Sequence, residues 1–456
     1  MRNYDAIVIG SGCGALISDV ATSSGHKTAL IDKGPLIGGT CLNWGCIPSK
    51  MLIYVADRIV EIEEGKKLGI DAEIKNVDFH SIMERMRQSR QESQVHIREG
   101  IKEQKHLDFY EGECQFVSDY TVEVNGAKLK GVNIFIASGS RPFTPPIKGL
   151  ENVDYLTNES ALELKDRPDS LLIVGGGYVA VEYGHFFAAM GTKVTIIEMA
   201  DRLVLSEEPE ISEVLKNELT KRIGVHTNAQ AREVRASRSG VSVVTVDRKS
   251  GKEREFAAQT IMMAVGRRSN ADLLKVENTG IELDNRGFIK VNEYMETSKK
   301  NIYAVGDANG QQMFTHTANR EAAIVAQNVF YGTELKVDYT AVPHAVYSHP
   351  QIASVGLKEE EARKTHKVIV GRTEYSDIAK GEAMLEKEGY AKAIVEKGSG
   401  RILGFHIIGP YAPELIQEVV NAITSGRHIE EIEQGIHIHP ALSELVPTAL
   451  NRLQDS

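Results

Sequence analysis

Four cysteines are spread over 456 residues, too few for a disulfide framework in a chain this long. No apolar run approaches the roughly 20 residues that a membrane-spanning helix needs. Basic residues are in deficit: 53 Lys and Arg stand against 63 Asp and Glu, a net charge of −10. That balance argues against nonspecific binding to nucleic acid or to an anionic membrane. It leaves nucleotide cofactors open, because backbone amides hold those. There is no signal-peptide h-region either. Met1-Arg-Asn-Tyr-Asp-Ala-Ile-Val-Ile-Gly10 runs directly into an apolar strand, so a reducing cytoplasm is expected. Of the cysteines, Cys114 reads as a small buried thiol and Cys13 as a residue that fits a tight loop. The other two, Cys41 and Cys46, lie five residues apart beside Gly45, Pro48 and Lys50. Metal ligands, a structural staple and a redox couple are the candidates for them.

What is present is enough for several cores. The chain is 42% hydrophobic and 25% charged, ordinary for a globular protein, and its length implies two to four domains. An apolar run at 5–10 ends in Gly10-Ser-Gly-Cys-Gly-Ala15, a short helical pattern follows, and Lys27-Thr-Ala-Leu-Ile-Asp32 closes on an acid. This predicts a β-α-β unit. Gly10 and Gly12 let the backbone approach a pyrophosphate at the helix N-terminus, and the Asp32 carboxylate can bind a ribose hydroxyl. Ala15 stands at the third glycine position. The plan recurs in Leu171-Leu-Ile-Val-Gly-Gly-Gly-Tyr-Val-Ala-Val-Glu-Tyr-Gly184, which leads to Lys193-Val-Thr-Ile-Ile-Glu198. One such unit would serve a simple dehydrogenase. Two suggest electrons passing between two cofactors.

Between the units, about 79–106 reads as a long polar helix. Asn133 to Pro142 and Gln259 to Arg268 each read as a buried strand ending in a turn, matching crossings between domains. Asn301-Ile-Tyr-Ala-Val-Gly-Asp-Ala308 ends another strand at Gly306 and Asp307. After about 339 the pattern shifts to alternating strands with a helix near 413–425, a third type of module.

Gly39-Thr-Cys-Leu-Asn-Trp-Gly-Cys-Ile-Pro-Ser-Lys50, the two β-α-β units, Ala304-Val-Gly-Asp307 and His439-Pro-Ala-Leu-Ser-Glu444 follow one another along the chain. Together they resemble the flavin-dependent pyridine nucleotide–disulfide oxidoreductases, which include dihydrolipoamide dehydrogenase and the glutathione, mycothione and mercuric reductases. The resemblance covers essentially the whole chain. It implies an α/β fold with two Rossmann-like, doubly wound dinucleotide-binding domains and a C-terminal α+β dimerisation domain. The implied boundaries are 1–147 with 271–338 for a split FAD domain, 148–270 for the NAD(P) domain and 339–456 for the dimerisation domain. FAD and NAD are the implied cofactors, with NADP possible, and a homodimer the implied assembly. For FAD it points to Gly10, Gly12, Gly14, Asp32, Lys33, Gly39 and Thr40, then Lys50, Ser138, Gly139, Gly306, Asp307, Phe314 and Thr315. For NAD it points to Gly175, Gly177, Tyr178, Val179, Glu182, Glu198, Val265 and Gly266. No metal is implied.

Zinc needs four ligands, and no second cysteine pair lies near by in sequence. A staple across five residues constrains the unfolded chain little. A redox couple remains, and it sets a geometric condition. Residues five apart in a regular helix have Cα atoms roughly 8–9 Å apart, whereas a disulfide needs less than about 7 Å. The backbone must therefore break between Cys41 and Cys46. Gly45 can absorb the break, and Pro48 suits the first turn of a following helix. By resemblance, Cys46 faces the flavin as the charge-transfer thiolate and Cys41 exchanges with substrate. Lys50 lies near the flavin and pairs with Glu182, and Tyr178 covers the flavin until the nicotinamide displaces it. Thiol exchange also needs a base. Of fourteen histidines, the resemblance selects His439, oriented by Glu444 and reaching the disulfide of the other subunit.

A carboxylate at Glu198 accepts from a free 2′-hydroxyl and repels a 2′-phosphate, which favours NADH. Ala180, at the third glycine position, is commoner in the NADPH branch. The resemblance implies a small-molecule or lipoyl-type dithiol or disulfide as substrate. The cysteine segment and Glu198 resemble dihydrolipoamide dehydrogenase. Phe314-Thr-His-Thr-Ala-Asn319, Ser376 to Met384 and the His439 segment also resemble mycothione reductase, and Ala441 stands where dihydrolipoamide dehydrogenases usually carry threonine. Residues 450–456 hold no cysteine pair, so mercuric reduction is not expected. A non-disulfide electron transferase, an NADH oxidase or a redox sensor would leave Cys41, Cys46, His439 and Glu444 without work.

Overall fold

Val8 and Ile9 end a strand, Arg2–Ile9, whose consecutive residues Ala6, Ile7, Val8 and Ile9 are all buried. Burial on both faces is what a parallel sheet covered by helices requires. The computed structural model describes residues 1–237, 240–426 and 428–455. The chain divides into two compact units. One comprises Met1–Ser49, Glu84–Phe143 and Gly266–Asp338; the other comprises Lys50–Met83, Thr144–Val265 and Tyr339–Ser456.

In the first unit, Arg2–Ile9 pairs in parallel with Thr28–Asp32 on one side and Ala127–Ile136 on the other. Leu107–Glu111 adds in parallel beside Thr28–Asp32, and Ile302–Ala304 beside the end of Ala127–Ile136. The antiparallel strands Thr121–Val124 and Cys114–Ser118 complete this seven-stranded sheet. The helix Gly14–Ser23 connects the first two strands and packs beside the helix Thr315–Tyr331. Ile7, Ile31, Phe116, Ile134 and Ile302 share its core.

The second unit holds a four-stranded parallel sheet in the order Gly224–His226, Lys193–Ile197, Ser170–Val174, Thr260–Met263. The helix Tyr178–Ala189 makes its first crossover. A three-stranded antiparallel sheet, Ala229–Ser237, Gly240–Asp247 and Glu253–Ala258, lies beyond. The C-terminal module is a five-stranded antiparallel sheet ordered Pro343–Val346, Ile352–Gly356, Ile402–Ile408, Tyr390–Glu396, Val368–Glu374. The helices Ala412–Ser425 and Leu445–Asn451 share a core with one of its faces. The mixed α/β architecture is the one the sequence predicts.

The other face of that sheet carries an unexpected row. His344, Ser354, His406, Lys392 and Arg372 are successive register partners across all five strands. An acidic turn, Glu207 to Glu210, meets it. Lys392, only 4% exposed, donates to Glu208 at 3.1 Å and to Glu210 at 2.6 Å, and pairs with Glu359 at 2.6 Å. Burial alone lowers a lysine's pKa, but here the carboxylates prevail and Lys392 is raised.

Candidate active site

The two cysteines lie across a helix break. Gly39–Asn43 is a short helix, Trp44 and Gly45 interrupt it, and Cys46–Glu64 starts afresh. A Cβ on Gly45 would stand 3.1 Å from the Thr40 carbonyl and 3.4 Å from the Cys41 Cα. The glycine is thus where the chain folds back close to Cys41, and Pro48 sits in the new helix's first turn. Asn43, fully buried, fixes the loop from inside. Its amide donates to the Ile37 and Gly39 carbonyls at 2.9 Å, and Gln94 donates to its side-chain oxygen at 2.8 Å. Both cysteines are thiols in this structure, Cys46 exposed and Cys41 half-buried. The hydrogen bond to Cys46, then burial, push the Cys41 thiol above its ordinary value. Cys46 Sγ lies 3.3 Å from Thr315 Oγ1, at the first residue of the helix Thr315–Tyr331. A helix N-terminus favours negative charge at sulfur.

The first β-α-β turn belongs to the same unit. Gly10 has φ +104°, and a Cβ there would lie 2.2 Å from the Ala137 carbonyl oxygen. Gly12 and Gly39 face each other: a Cβ on Gly39 would come within 2.6 Å of the Gly12 Cα. The close helix-to-strand approach falls at Gly14, whose Cβ would meet Val8 at 2.8 Å, one residue before the expected Ala15. Asp32 accepts from the Ser11 and Gly34 amides at 2.9 and 3.1 Å, while Lys33 is exposed and Thr40 half-buried. Asp307 accepts from Ser140 Oγ, and the Gly306 amide donates to the buried Glu321. The Phe314 ring stacks on His316.

These residues fit a dinucleotide. The helices Gly14–Ser23 and Thr315–Tyr331 begin without a side-chain cap, which leaves N–H groups for an anion. Gly139 has open space beside it. Among the described residues, Ser138 Oγ and Thr317 Oγ1 are buried with no hydrogen-bond partner, as groups reserved for a ligand would be.

The second unit repeats the turn. Gly175 has φ +113°, with the Ala264 carbonyl oxygen 2.1 Å from a Cβ built there, and Gly177 opens onto free space before the uncapped helix Tyr178–Ala189. Glu198 follows the strand Lys193–Ile197 and accepts from the Ala200 amide at 2.6 Å. Val179 and Val265 are half-buried; Gly266 is exposed and belongs to the first unit. Lys50 Nζ donates to both oxygens of the buried Glu182, at 2.7 and 2.9 Å. Two contacts on this pair escaped sequence reasoning. The Tyr347 amide donates to Glu182 at 3.1 Å, and the Tyr347 ring lies 4.4 Å from Lys50 Nζ. The same helices continue the pattern: Asp57, seven residues after Lys50, bonds His185, three after Glu182, at 2.8 Å. Helical spacing could have signalled that pair once Lys50 and Glu182 were matched.

His439 Nδ1 lies 2.9 Å from Glu444 Oε1, and the Ala441 amide donates to Glu444 Oε2 at 3.0 Å. That amide first, then His439, hold the Glu444 carboxyl below its usual range. An ionised carboxylate accepts from Nδ1–H and leaves Nε2 to take a proton. His439 is 71% exposed, so this nitrogen is open to a group outside its own module. Among the described residues, no cluster of His, Cys, Asp and Glu could hold a metal ion, and no helix is long and apolar enough to cross a membrane.

Residues 4–322 match the family model described as pyridine nucleotide-disulphide oxidoreductase, and 342–450 match its dimerisation domain. A dihydrolipoyl dehydrogenase from Geobacillus stearothermophilus is 35% identical over 98% of this chain and 95% of its own. A mycothione reductase from Mycobacterium tuberculosis is 34% identical over 99% of each. The HOCl-induced flavoprotein disulfide reductase RclA from Escherichia coli, solved as a Cu(II) complex, superposes with a TM-score of 0.88 at 26% identity, covering 99% of both chains.

Proposed function

We propose, for a chain that belongs to the pyridine nucleotide-disulphide oxidoreductases, a relay of electrons between NAD(H) and a dithiol or disulfide through FAD and the Cys41–Cys46 pair. Enzymes of this family are flavoprotein disulfide oxidoreductases that use FAD and NAD(P)H. The observation that carries the reading is the thiol pair itself, folded together at Gly45 and aimed at a helix N-terminus at Thr315. When bound, the flavin supplies a carrier that takes a hydride from the nicotinamide and passes an electron pair to sulfur.

The domains 1–147 with 271–338, 148–270 and 339–456 then hold FAD, hold NAD(H) and dimerise. Cys46 is the thiol next to the flavin and Cys41 the one that exchanges with substrate. Lys50, fixed by Glu182 and Tyr347, keeps a positive charge near the flavin. His439, oriented by Glu444, moves the substrate's proton from across a homodimer interface. Glu198 selects NAD(H). The first substrate reading is a dihydrolipoamide-type dithiol oxidised with NAD. Ala441 and the Phe314 segment support a second, reduction of a low-molecular-weight disulfide.

Anaerobic titration with NADH or a dithiol tests the relay. A two-electron-reduced form with long-wavelength thiolate-to-flavin absorbance is expected, and Cys46→Ser removes both that band and disulfide turnover. Full bleaching of the flavin with no such band would overturn it. Rates with dihydrolipoamide and NAD, against small disulfides with NADH, separate the two substrates.

A further inference from the structure

Tyr178 opens its helix beside Gly177, yet its hydroxyl is not free to swing. It lies 2.6 Å from Ser206 Oγ; Ser206 Oγ lies 3.1 Å from Glu207 Oε1. Glu207 is fully buried and is bonded on one oxygen by His344 Nε2 at 2.8 Å and on the other by Ser354 at 2.7 Å. The His344 ring in turn lies 6.2 Å from that of Tyr178, the two planes 29° apart. Phenol, serine, carboxylate and imidazole thus close a ring of contacts. His344 and Ser354 are the first two members of the polar row that crosses the C-terminal sheet. Ser206 and Glu207 are chain neighbours, but nothing in the sequence links them to Tyr178 or His344.

We propose that Ser206, Glu207 and His344 form a latch that holds Tyr178 in its closed position, so that nicotinamide binding must break the Tyr178–Ser206 hydrogen bond. Ser206 and Glu207 are positioning residues, acting through Tyr178. This rests on the reading above that Tyr178 covers the flavin.

The donor directions agree around the ring. Burial, then the Glu207 charge, push the Tyr178 phenol up to about 12, so it donates at any working pH. For Glu207 burial opposes ionisation, but the bonds from His344 and Ser354 win and its carboxyl is lowered. The carboxylate therefore accepts from His344, Ser354 and Ser206, and the Tyr178 hydroxyl lies within reach of both Ser206 and Glu207. A closed state stabilised in this way reduces apparent nucleotide affinity by the closed-to-open ratio.

The test is the NAD+ dissociation constant of the oxidised, flavin-loaded enzyme, read from the flavin absorbance change without turnover. One hydrogen bond between neutral hydroxyls corresponds to roughly a three- to tenfold change. Ser206→Ala, at an exposed position, is expected to tighten NAD+ binding by that factor. Glu207→Gln should act in the same direction and Tyr178→Phe equally. The double variant Ser206→Ala/Tyr178→Phe should bind no tighter than Tyr178→Phe alone. Tighter binding in Tyr178→Phe with no change or weaker binding in Ser206→Ala would overturn the latch and leave the cover intact. So would additive effects in the double variant. No change in Tyr178→Phe, which keeps the ring and loses only the hydroxyl, would overturn the latch; no change in Tyr178→Ala would overturn the cover, and the latch with it.

Discussion

The two β-α-β turns share a backbone and differ in what their helices carry. Gly10 and Gly175 adopt φ +104° and +113°, and in each a Cβ would strike a neighbouring strand's carbonyl oxygen, at 2.2 and 2.1 Å. The first helix starts at Gly14 with a small residue against the strand; the second starts with Tyr178, pairs the buried Glu182 with Lys50 and hydrogen-bonds the buried His185 to Asp57. The first turn is therefore lined by backbone and suits a group that stays. The second is lined by the Tyr178 side chain, which under the proposed function must move for a ligand that comes and goes. The glycine geometry makes the site, and the residues after it decide how the site is used.

The comparison is most severely tested by placing the same methyl group in both turns. Gly10→Ala and Gly175→Ala should each cost more than about 3 kcal/mol locally, from a forbidden φ and a backbone clash. Gly10→Ala is expected to purify without flavin. Gly175→Ala should keep its flavin and lose NAD(H) binding. Flavin content and nucleotide titration measure both, and loss of flavin from both variants would erase the distinction.

The buried pair comes next. Glu182→Gln leaves Lys50, about a third exposed, without its carboxylate, and about 1–3 kcal/mol of stability should go with it. Melting curves check this; Asp32→Asn in the first turn should instead show mainly as weaker flavin retention. A smaller effect is expected at Glu198, where exchange for Arg should shift the NADH-to-NADPH ratio of kcat/KM toward NADPH by roughly tenfold. An unchanged ratio would remove the acid's role in nucleotide choice.

The smallest concerns pH. Glu64 is lowered from 4.5 to about 2, chiefly by the hydrogen bond with His349. Its folded pKa is depressed, so its contribution is present above about pH 4.5 and is lost as pH falls through the folded value near 2. Both side chains are partly exposed, so Glu64→Gln should cost under about 1 kcal/mol at neutral pH. It should make acid unfolding less steep in that window.

Much of the architecture was legible because parallel strands write themselves as short apolar runs and glycine turns have no substitute. The helix break between Cys41 and Cys46 was legible for the same reason: a length limit on a bond. The close contact at Gly14 rather than Ala15 was not, since that depends on where the helix begins. Nor was the buried support behind the cysteines, because Asn43 and Gln94 are ordinary polar residues 51 apart.

By itself the sequence determined two nucleotide turns, a five-residue thiol spacing and a histidine–glutamate pair, each set by local backbone limits or by residues close along the chain. Only the tertiary structure decided which distant charges meet. Lys392 with Glu208 and Glu210, Tyr347 against Lys50 and Glu182, and Glu207 with His344 are pairings across more than a hundred residues. A charge in a sequence carries no mark of its partner; burial makes finding one obligatory, and burial belongs to the folded chain.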